Sequence, residues 1–97
     1  MNTLDEKTQQ KIVAVISALI PEAKIYLFGS RARGTNSQWA VFDIALDAGK
    51  ELKQQDVYEI SCMFKESFIK YNIDVVDVYQ VSDLMRSEIL KDKIVWK

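Results

Sequence analysis

The chain has 97 residues, 48% of them hydrophobic and 28% charged, enough for one folded domain with a single core over residues 1–97. Its 13 basic and 14 acidic residues give a net charge of −1, which argues against a protein whose main function is to bind a nucleic-acid backbone. The absence of histidine excludes His-based catalysis and His-ligated zinc, and a single cysteine, Cys62, excludes an internal disulfide. Neither a signal-peptide pattern nor an apolar run of ~20 residues is present, so we expect a cytoplasmic domain with no membrane partner.

The first predicted elements are a helix and a buried strand. Thr3 and Glu6 fit a capping box at the start of the helix. Apolar residues then recur at helical spacing until Pro21 ends the run: Ile12, Ile16, Leu19 and Ile20. Residues 24–28 (KIYLF) are rich in β-forming side chains and apolar on both parities, which predicts a buried strand that stops at a Gly-Ser pair.

The rest of the chain alternates strands and helices. Residues 41–46 (VFDIAL) predict a strand with Phe42, Ile44 and Leu46 on one face and Val41, Asp43 and Ala45 on the other. A helical stripe over residues 54–71 consists of Val57, Ile60, Phe64, Phe68 and Tyr71. Residues 73–79 (IDVVDVY) predict a third strand, and Ser82 can cap a last helix. This order predicts an α/β (α+β) domain, a small mixed sheet of about three strands flanked by helices.

The turn after the first strand has the features of a phosphate-binding turn. Gly29 and Ser30 precede Arg31-Ala32-Arg33, which favours a helical turn, so backbone N–H groups and the Ser30 hydroxyl would point into open space. A Walker A loop is rejected because no lysine precedes Thr35, and a dinucleotide fingerprint is rejected because position 31 is not glycine. A strand-to-helix turn with nothing bound remains the open alternative.

Acidic residues on the later strands favour a metal-dependent site. Asp43 lies on the polar face of a predicted strand whose other residues have the apolar pattern of a buried core. Asp74 and Asp77 are three positions apart and face opposite sides of a regular strand, so at most one of them can share a site with Asp43. Carboxylates on neighbouring strands beside a phosphate turn suggest Mg²⁺ bound together with a nucleotide.

The segment from residue 27 to residue 47 (LFGSRARGTNSQWAVFDIALD) resembles the signature of the DNA polymerase β-type nucleotidyltransferases, in which Gly-Ser is followed after a short loop by Asp-x-Asp on a strand. The GSRARG run and the short chain are most similar to the minimal nucleotidyltransferases (MNT), the MntA-like antitoxins encoded beside HEPN-domain partners. This resemblance implies that Gly29 and Ser30 contact phosphate, and that Asp43 and Asp74 are catalytic and metal-binding carboxylates.

One position departs from the family pattern. The family run Ser-Asp-x-Asp is Ala40-Val41-Phe42-Asp43 in this chain, so Val41 stands where the first metal-binding aspartate belongs. In such sites three aspartates hold two Mg²⁺ ions that bridge the triphosphate and the attacking hydroxyl. Loss of one ligand is expected to reduce the rate on the order of a thousandfold or more. We therefore predict a family member that is impaired as a catalyst.

The resemblance implies transfer of AMP from ATP to a tyrosine of a HEPN toxin, which makes the protein an antitoxin. A chain of 97 residues leaves no room for the extra domain with which antibiotic-modifying relatives bind a small acceptor. The alternatives are an inactive binding module that neutralises or scaffolds a HEPN partner by contact, supported by Val41, and a domain that senses ATP without turning it over.

Two further sets of residues have open interpretations. Arg31 and Arg33 are predicted as nucleotide contacts, or as contacts to an acidic partner surface, and an exposed helical turn also carries arginines for solubility. Trp39 is either an interface anchor or packs over the sheet edge. A protein with these features is expected to form a homo-oligomer or hetero-oligomer, and not to bind nucleic acid.

Overall fold

The computed structural model describes residues 3–37, 40–67, 69 and 71–97, with side chains from residue 6 onward. The elements in chain order are α1 (Thr3–Leu19), β1 (Lys24–Phe28), α2 (Ser30–Arg33), β2 (Phe42–Asp47), α3 (Gln54–Glu66), β3 (Ile73–Asp77), α4 (Asp83–Asp92) and β4 (Ile94–Val95). The predicted mixed domain of helices and strands is confirmed. The Thr3 side chain, Trp39 and Phe68 lie outside what the structure describes, so the predictions for them stay predictions.

The strands form one mixed sheet in the order β3-β2-β1-β4. β1 pairs antiparallel with β2 and β4, whereas β2 and β3 are parallel. The prediction of about three strands missed β4, because two residues are too few to show an alternating pattern. Beyond β4, the N–H groups of Trp96 and Lys97 donate to the Ile25 carbonyl, and the Ile25 N–H donates to the Lys97 carbonyl. This short strand therefore forms because it pairs with the buried strand β1.

Four element boundaries differ from those predicted. β2 begins at 42 rather than 41 and ends at 47 rather than 46, α3 ends at 66 rather than 71, and β3 ends at 77 rather than 79. α3 ends early because the Ser67 hydroxyl donates a 2.7 Å hydrogen bond to the Phe64 carbonyl. β3 ends where the Asp77 carboxylate accepts a hydrogen bond from the Tyr79 N–H. The predicted cap of α4 is confirmed, since the Ser82 hydroxyl accepts from the Met85 N–H.

Apolar side chains cover both faces of the sheet. The predicted inward residues of β2 lie in the main core, which joins the sheet to α1 and α3: Ile12, Ile16, Ile20, Ala23, Ile25, Leu27, Phe42, Ile44, Leu46, Leu52, Ile60, Phe64 and Val75. A smaller cluster on the opposite face joins the sheet to α4: Tyr26, Phe28, Ala45, Val78 and Ile89. Within the described ranges, each helix is too short or too polar to cross a membrane.

Candidate active site

The parallel pairing of β2 with β3 sets Asp43 directly beside Asp74. On the other side of β2, Asp43 is paired with Phe28, the last residue of β1. The end of β1 and the starts of β2 and β3 therefore meet at one end of the sheet. This end is where the turn at residues 29–30 leaves β1, so the structure brings the predicted carboxylates and the predicted phosphate turn together.

Gly29 forms the sharpest part of this turn and touches the Asp43 side chain. Its dihedral angles, φ 79° and ψ −156°, belong to a region that is almost exclusive to glycine. A Cβ atom added at this position would lie 2.5 Å from the Asp43 Oδ2 atom. Both the backbone conformation and the adjacent carboxylate therefore require a residue without a side chain at position 29.

The short helix α2 begins immediately after Gly29, as the turn predicts. The Arg33 N–H donates to the Gly29 carbonyl, and the Thr35 N–H donates to the Ser30 carbonyl, each at 3.0 Å. Gly34 ends the helix in the left-handed conformation. No described residue accepts a hydrogen bond from the Ser30 N–H, which lies at the start of the helix. A ligand oxygen could accept from this group.

The two paired carboxylates repel each other. Burial raises the pKa of the Asp43 carboxyl above its ordinary value, and the neighbouring Asp74 carboxylate raises it further, whereas Arg33 opposes the shift. Asp74 is exposed and Asp43 is half-buried. The site thus carries negative charge that its own surroundings only partly compensate, a condition that favours a bound cation.

The two arginines of the motif have different surroundings. The Arg33 guanidinium is exposed and pairs with Asp92 at 2.6 Å, at the end of α4. The Arg31 Nε atom donates to the Ala40 carbonyl at 3.0 Å, and its guanidinium lies over the ring of Phe42. The sequence pattern does not mark Asp92 as a site residue. An acidic residue in the last turn of a helix is disfavoured by the helix dipole, which was the one signal that it needs a tertiary partner.

Position 41 supplies no third ligand. Val41 lies immediately before β2 and two residues from Asp43, with 38% of its surface exposed. Among the residues whose side chains are described, no three or more His, Cys, Asp or Glu side chains are grouped so that they could hold a metal ion. A partly exposed apolar side chain therefore stands where the family pattern has a carboxylate.

Asp77 is buried away from this site. Only 2% of the residue is exposed, and its carboxylate accepts hydrogen bonds from the backbone N–H groups of Leu52 (2.7 Å) and Tyr79 (2.9 Å). These bonds fasten the loop between β2 and α3 to the end of β3. The structure thus gives Asp77 a role in folding, and places Asp74 rather than Asp77 beside Asp43.

Substitution of Gly29 by alanine is expected to be more harmful than the same change at Gly34. We expect Gly29→Ala to lower the free energy of unfolding by about 2–3 kcal/mol and to displace the Asp43 carboxylate. Gly34 also has a positive φ, 77°, but no atom lies within 4 Å of an added Cβ, so Gly34→Ala should cost about 1 kcal/mol. Urea denaturation of both variants measures the difference, and equal losses would contradict the close approach at Gly29.

Neutralising Asp43 is expected to stabilise the protein in the absence of divalent cations. Because the folded state raises the pKa of Asp43 above 3.8, it binds the proton more tightly than the unfolded state does. Stability therefore falls as the pH rises from 3.8 through the folded pKa, and Asp43→Asn should remove this loss. Urea denaturation with EDTA should show the gain at pH 7 and none below pH 3.8. The exposed Glu88→Gln variant is the control, and a less stable Asp43→Asn protein would contradict the prediction.

Comparison with known proteins gives a family match and a set of similar folds. The sequence matches the family profile described as "Polymerase beta, Nucleotidyltransferase" over residues 10–97. No curated protein matches it. A crystal structure of a toxin–antitoxin with AMP-PNP is 24% identical with a TM-score of 0.79, and the match covers 92% of this chain and 72% of that chain.

Two more solved structures share the fold. The complex of a tri-AMPylated Shewanella oneidensis HEPN toxin with its MNT antitoxin is 22% identical with a TM-score of 0.75, covering 95% of this chain and 71% of that chain. A minimal nucleotidyltransferase is 19% identical with a TM-score of 0.70, covering 92% of both chains. At these identities the likeness establishes a common fold.

Proposed function

The chain belongs to the polymerase beta nucleotidyltransferase family, which confirms the resemblance carried by its motif, and on this premise we propose that it is the antitoxin of a HEPN/MNT pair. Its site for transferring AMP from ATP to a tyrosine of the toxin is weakened by Val41. The observation that carries the proposal is the register that sets Asp43 beside Asp74 and against Gly29. Carboxylates next to a phosphate turn are the arrangement that nucleotidyl transfer needs.

The nucleotide is proposed to bind at the turn at residues 29–30. The Ser30 N–H and hydroxyl would donate to phosphate oxygens, and Gly29 lets the backbone approach them closely. The Arg33 guanidinium, exposed and near Asp43, adds positive charge on the same side. A structural neighbour was crystallised with AMP-PNP. That observation supports an ATP-like ligand for this fold.

The donor set fits one Mg²⁺ ion better than the pair that the family pattern implies. Asp43 and Asp74 offer carboxylate oxygens side by side, and their mutual repulsion would be relieved by a cation. Mg²⁺ is commonly held by one or two carboxylates together with substrate phosphates and water. When bound, the ion would neutralise charge on the triphosphate and lower the pKa of the acceptor hydroxyl. Val41 removes the ligand that would complete the second site.

The reaction follows from the positions of these groups. The acceptor hydroxyl oxygen attacks the α-phosphorus of ATP, the bond from that phosphorus to the β-phosphate bridge breaks, and pyrophosphate leaves. Asp74 is the more exposed carboxylate, so it can meet an acceptor from a partner protein and take the proton of the hydroxyl. Asp43, between Asp74 and Gly29, would help to hold Mg²⁺ beside the α-phosphate, since a carboxylate without a cation would repel that phosphate.

A second function has specific support from position 41. If Val41 abolishes transfer, the protein would neutralise or scaffold the HEPN toxin by contact alone. This binding module would keep the fold and the partner surface while dispensing with the nucleotide. It differs from the enzyme in that no AMP is transferred at any concentration of Mg²⁺-ATP.

The experiment is to incubate the chain with a HEPN-domain toxin, Mg²⁺ and ATP labelled in the α-phosphate, and to locate label by mass spectrometry. The proposal expects slow labelling of a toxin tyrosine, abolished by Asp43→Asn and by Asp74→Asn. Glu88→Gln, an exposed acidic position outside the site, is the matched control. Toxin inhibition that persists in both aspartate variants without any label would favour the binding module. A chain that neither binds nor labels the toxin would overturn both.

A further inference from the structure

We infer that Arg31 is a positioning residue that holds the start of β2 against the phosphate turn, and not a ligand of the nucleotide. The inference rests on the proposed nucleotidyl transfer and assigns the two arginines of the motif different roles. Arg33 carries its charge at the exposed side of the site, where it pairs with Asp92. The Arg31 guanidinium is engaged with the protein itself.

Three contacts with described residues help to fix the place of Arg31. Its Nε atom donates to the Ala40 carbonyl at 3.0 Å. Its guanidinium carbon lies 4.0 Å from the centroid of the Phe42 ring and 4.9 Å from that of the Tyr71 ring. The two rings are themselves in edge-to-face contact, with centroids 5.2 Å apart. A flat cation held over aromatic faces with a directed hydrogen bond has little freedom to swing towards a triphosphate.

The contacts of Arg31 flank position 41 on both sides. Ala40 precedes it and Phe42 follows it, so one side chain of α2 holds the backbone where the family's first metal ligand would stand. Phe42 is an anchor, because it is 1% exposed and its N–H donates to the Asn72 carbonyl at 2.9 Å. Arg31 therefore couples the phosphate turn to the strand starts that carry Asp43 and Asp74.

Substitution of Arg31 by lysine distinguishes a role in positioning the strand from a role in supplying positive charge. A lysine in place of Arg31 would keep the positive charge but would lose both the planar group over the rings and the Nε donor. If Arg31 contributed charge to the triphosphate, Arg31→Lys would retain much of the function, as we expect of Arg33→Lys. If Arg31 sets the position of residues 40–43, lysine should fail there nearly as badly as glutamine.

The test uses the Val41→Asp chain, in which transfer is expected to be fast enough to measure, with Arg31→Lys, Arg31→Gln or Arg33→Lys added. A misplacement of about 1 Å can cost about a hundredfold in rate, so both Arg31 variants should lower kcat by about that factor with the KM for ATP changed less than about threefold. Arg33→Lys should lower kcat by less than about tenfold. Tyr71→Leu, which removes one ring, should lower kcat in the same direction by a smaller factor.

A second measurement does not depend on catalysis. In the chain with Val41 unchanged, the Phe42 and Asp43 amides should exchange with deuterium at least about tenfold faster in Arg31→Lys, while the Ile44 and Ala45 amides keep their rates. Unchanged exchange at 42 and 43 would overturn the inference, and so would a raised KM with an unchanged kcat. If Val41→Asp transfers no AMP, the proposed function fails, and the exchange rates alone decide whether Arg31 holds the strand.

Discussion

Replacing Val41 by aspartate is expected to raise the rate of AMP transfer on the order of a thousandfold. Position 41 immediately precedes β2, and if the alternation of the strand continues by one residue, an aspartate introduced here would place its carboxylate on the side of Asp43. This restores the Asp-x-Asp pair and the charge that a second Mg²⁺ requires. The measurement is the initial rate of label transfer to the HEPN toxin at saturating ATP. Restoring serine at Ala40 should have a smaller effect.

The controls separate charge from shape. Val41→Asn is close in size to the aspartate variant but adds no charge, and should recover little activity. Val41→Asp should also respond more strongly to Mg²⁺, because a third carboxylate adds repulsion that the ion relieves. Its melting temperature should fall with EDTA and rise with Mg²⁺ by more than that of the unchanged chain. Robust transfer by the unchanged chain, or none by a folded, toxin-binding Val41→Asp protein, would contradict this account.

Removing the Asp77 carboxylate is expected to give the largest loss of stability among the aspartates of β2 and β3. Asp77→Ala leaves the buried Leu52 N–H and the part-buried Tyr79 N–H without acceptors, and a buried unsatisfied group costs about 1–3 kcal/mol. We therefore expect a loss of about 3–5 kcal/mol in the free energy of unfolding. Urea denaturation at pH 7, followed by circular dichroism, measures it.

Two further variants serve as comparisons for Asp77→Ala. Asp77→Asn keeps one acceptor oxygen, so it should lose less stability than Asp77→Ala. It should still lose some, because its amide NH₂ would face an N–H donor. Asp74→Ala, three residues away on the same strand, should be within about 0.5 kcal/mol of the unchanged chain, since Asp74 is exposed. The loss of Asp77 should therefore lower mainly the stability, whereas the loss of Asp74 should lower mainly the rate of AMP transfer. A stable Asp77→Ala protein would contradict the structural role of this carboxylate.

Local patterns were sufficient for the elements with strong periodicity. β1 spans the same residues, Lys24–Phe28, as the apolar run that predicted it. The alternation of residues 42–46 correctly separated the main core from the opposite face, because a strand turns successive side chains to opposite sides. The Gly29 turn was also visible in the sequence, because few residues adopt its backbone conformation. The order of side chains along a strand is a property of the chain alone.

Contacts between distant residues required the folded chain. The parallel register of β2 and β3 places Asp43 beside Asp74, and no local pattern encodes a register between separate strands. The same holds for β4: Ile94 and Val95 favour strands, but two residues are too few to show a pattern, and they form a strand because β1 offers a free edge. Arg31 and Arg33 are nearly identical in sequence context, yet one lies over Phe42 and the other pairs with Asp92. Composition and spacing therefore determined which groups the candidate site contains, whereas the packing of strand ends determined which of them lie side by side.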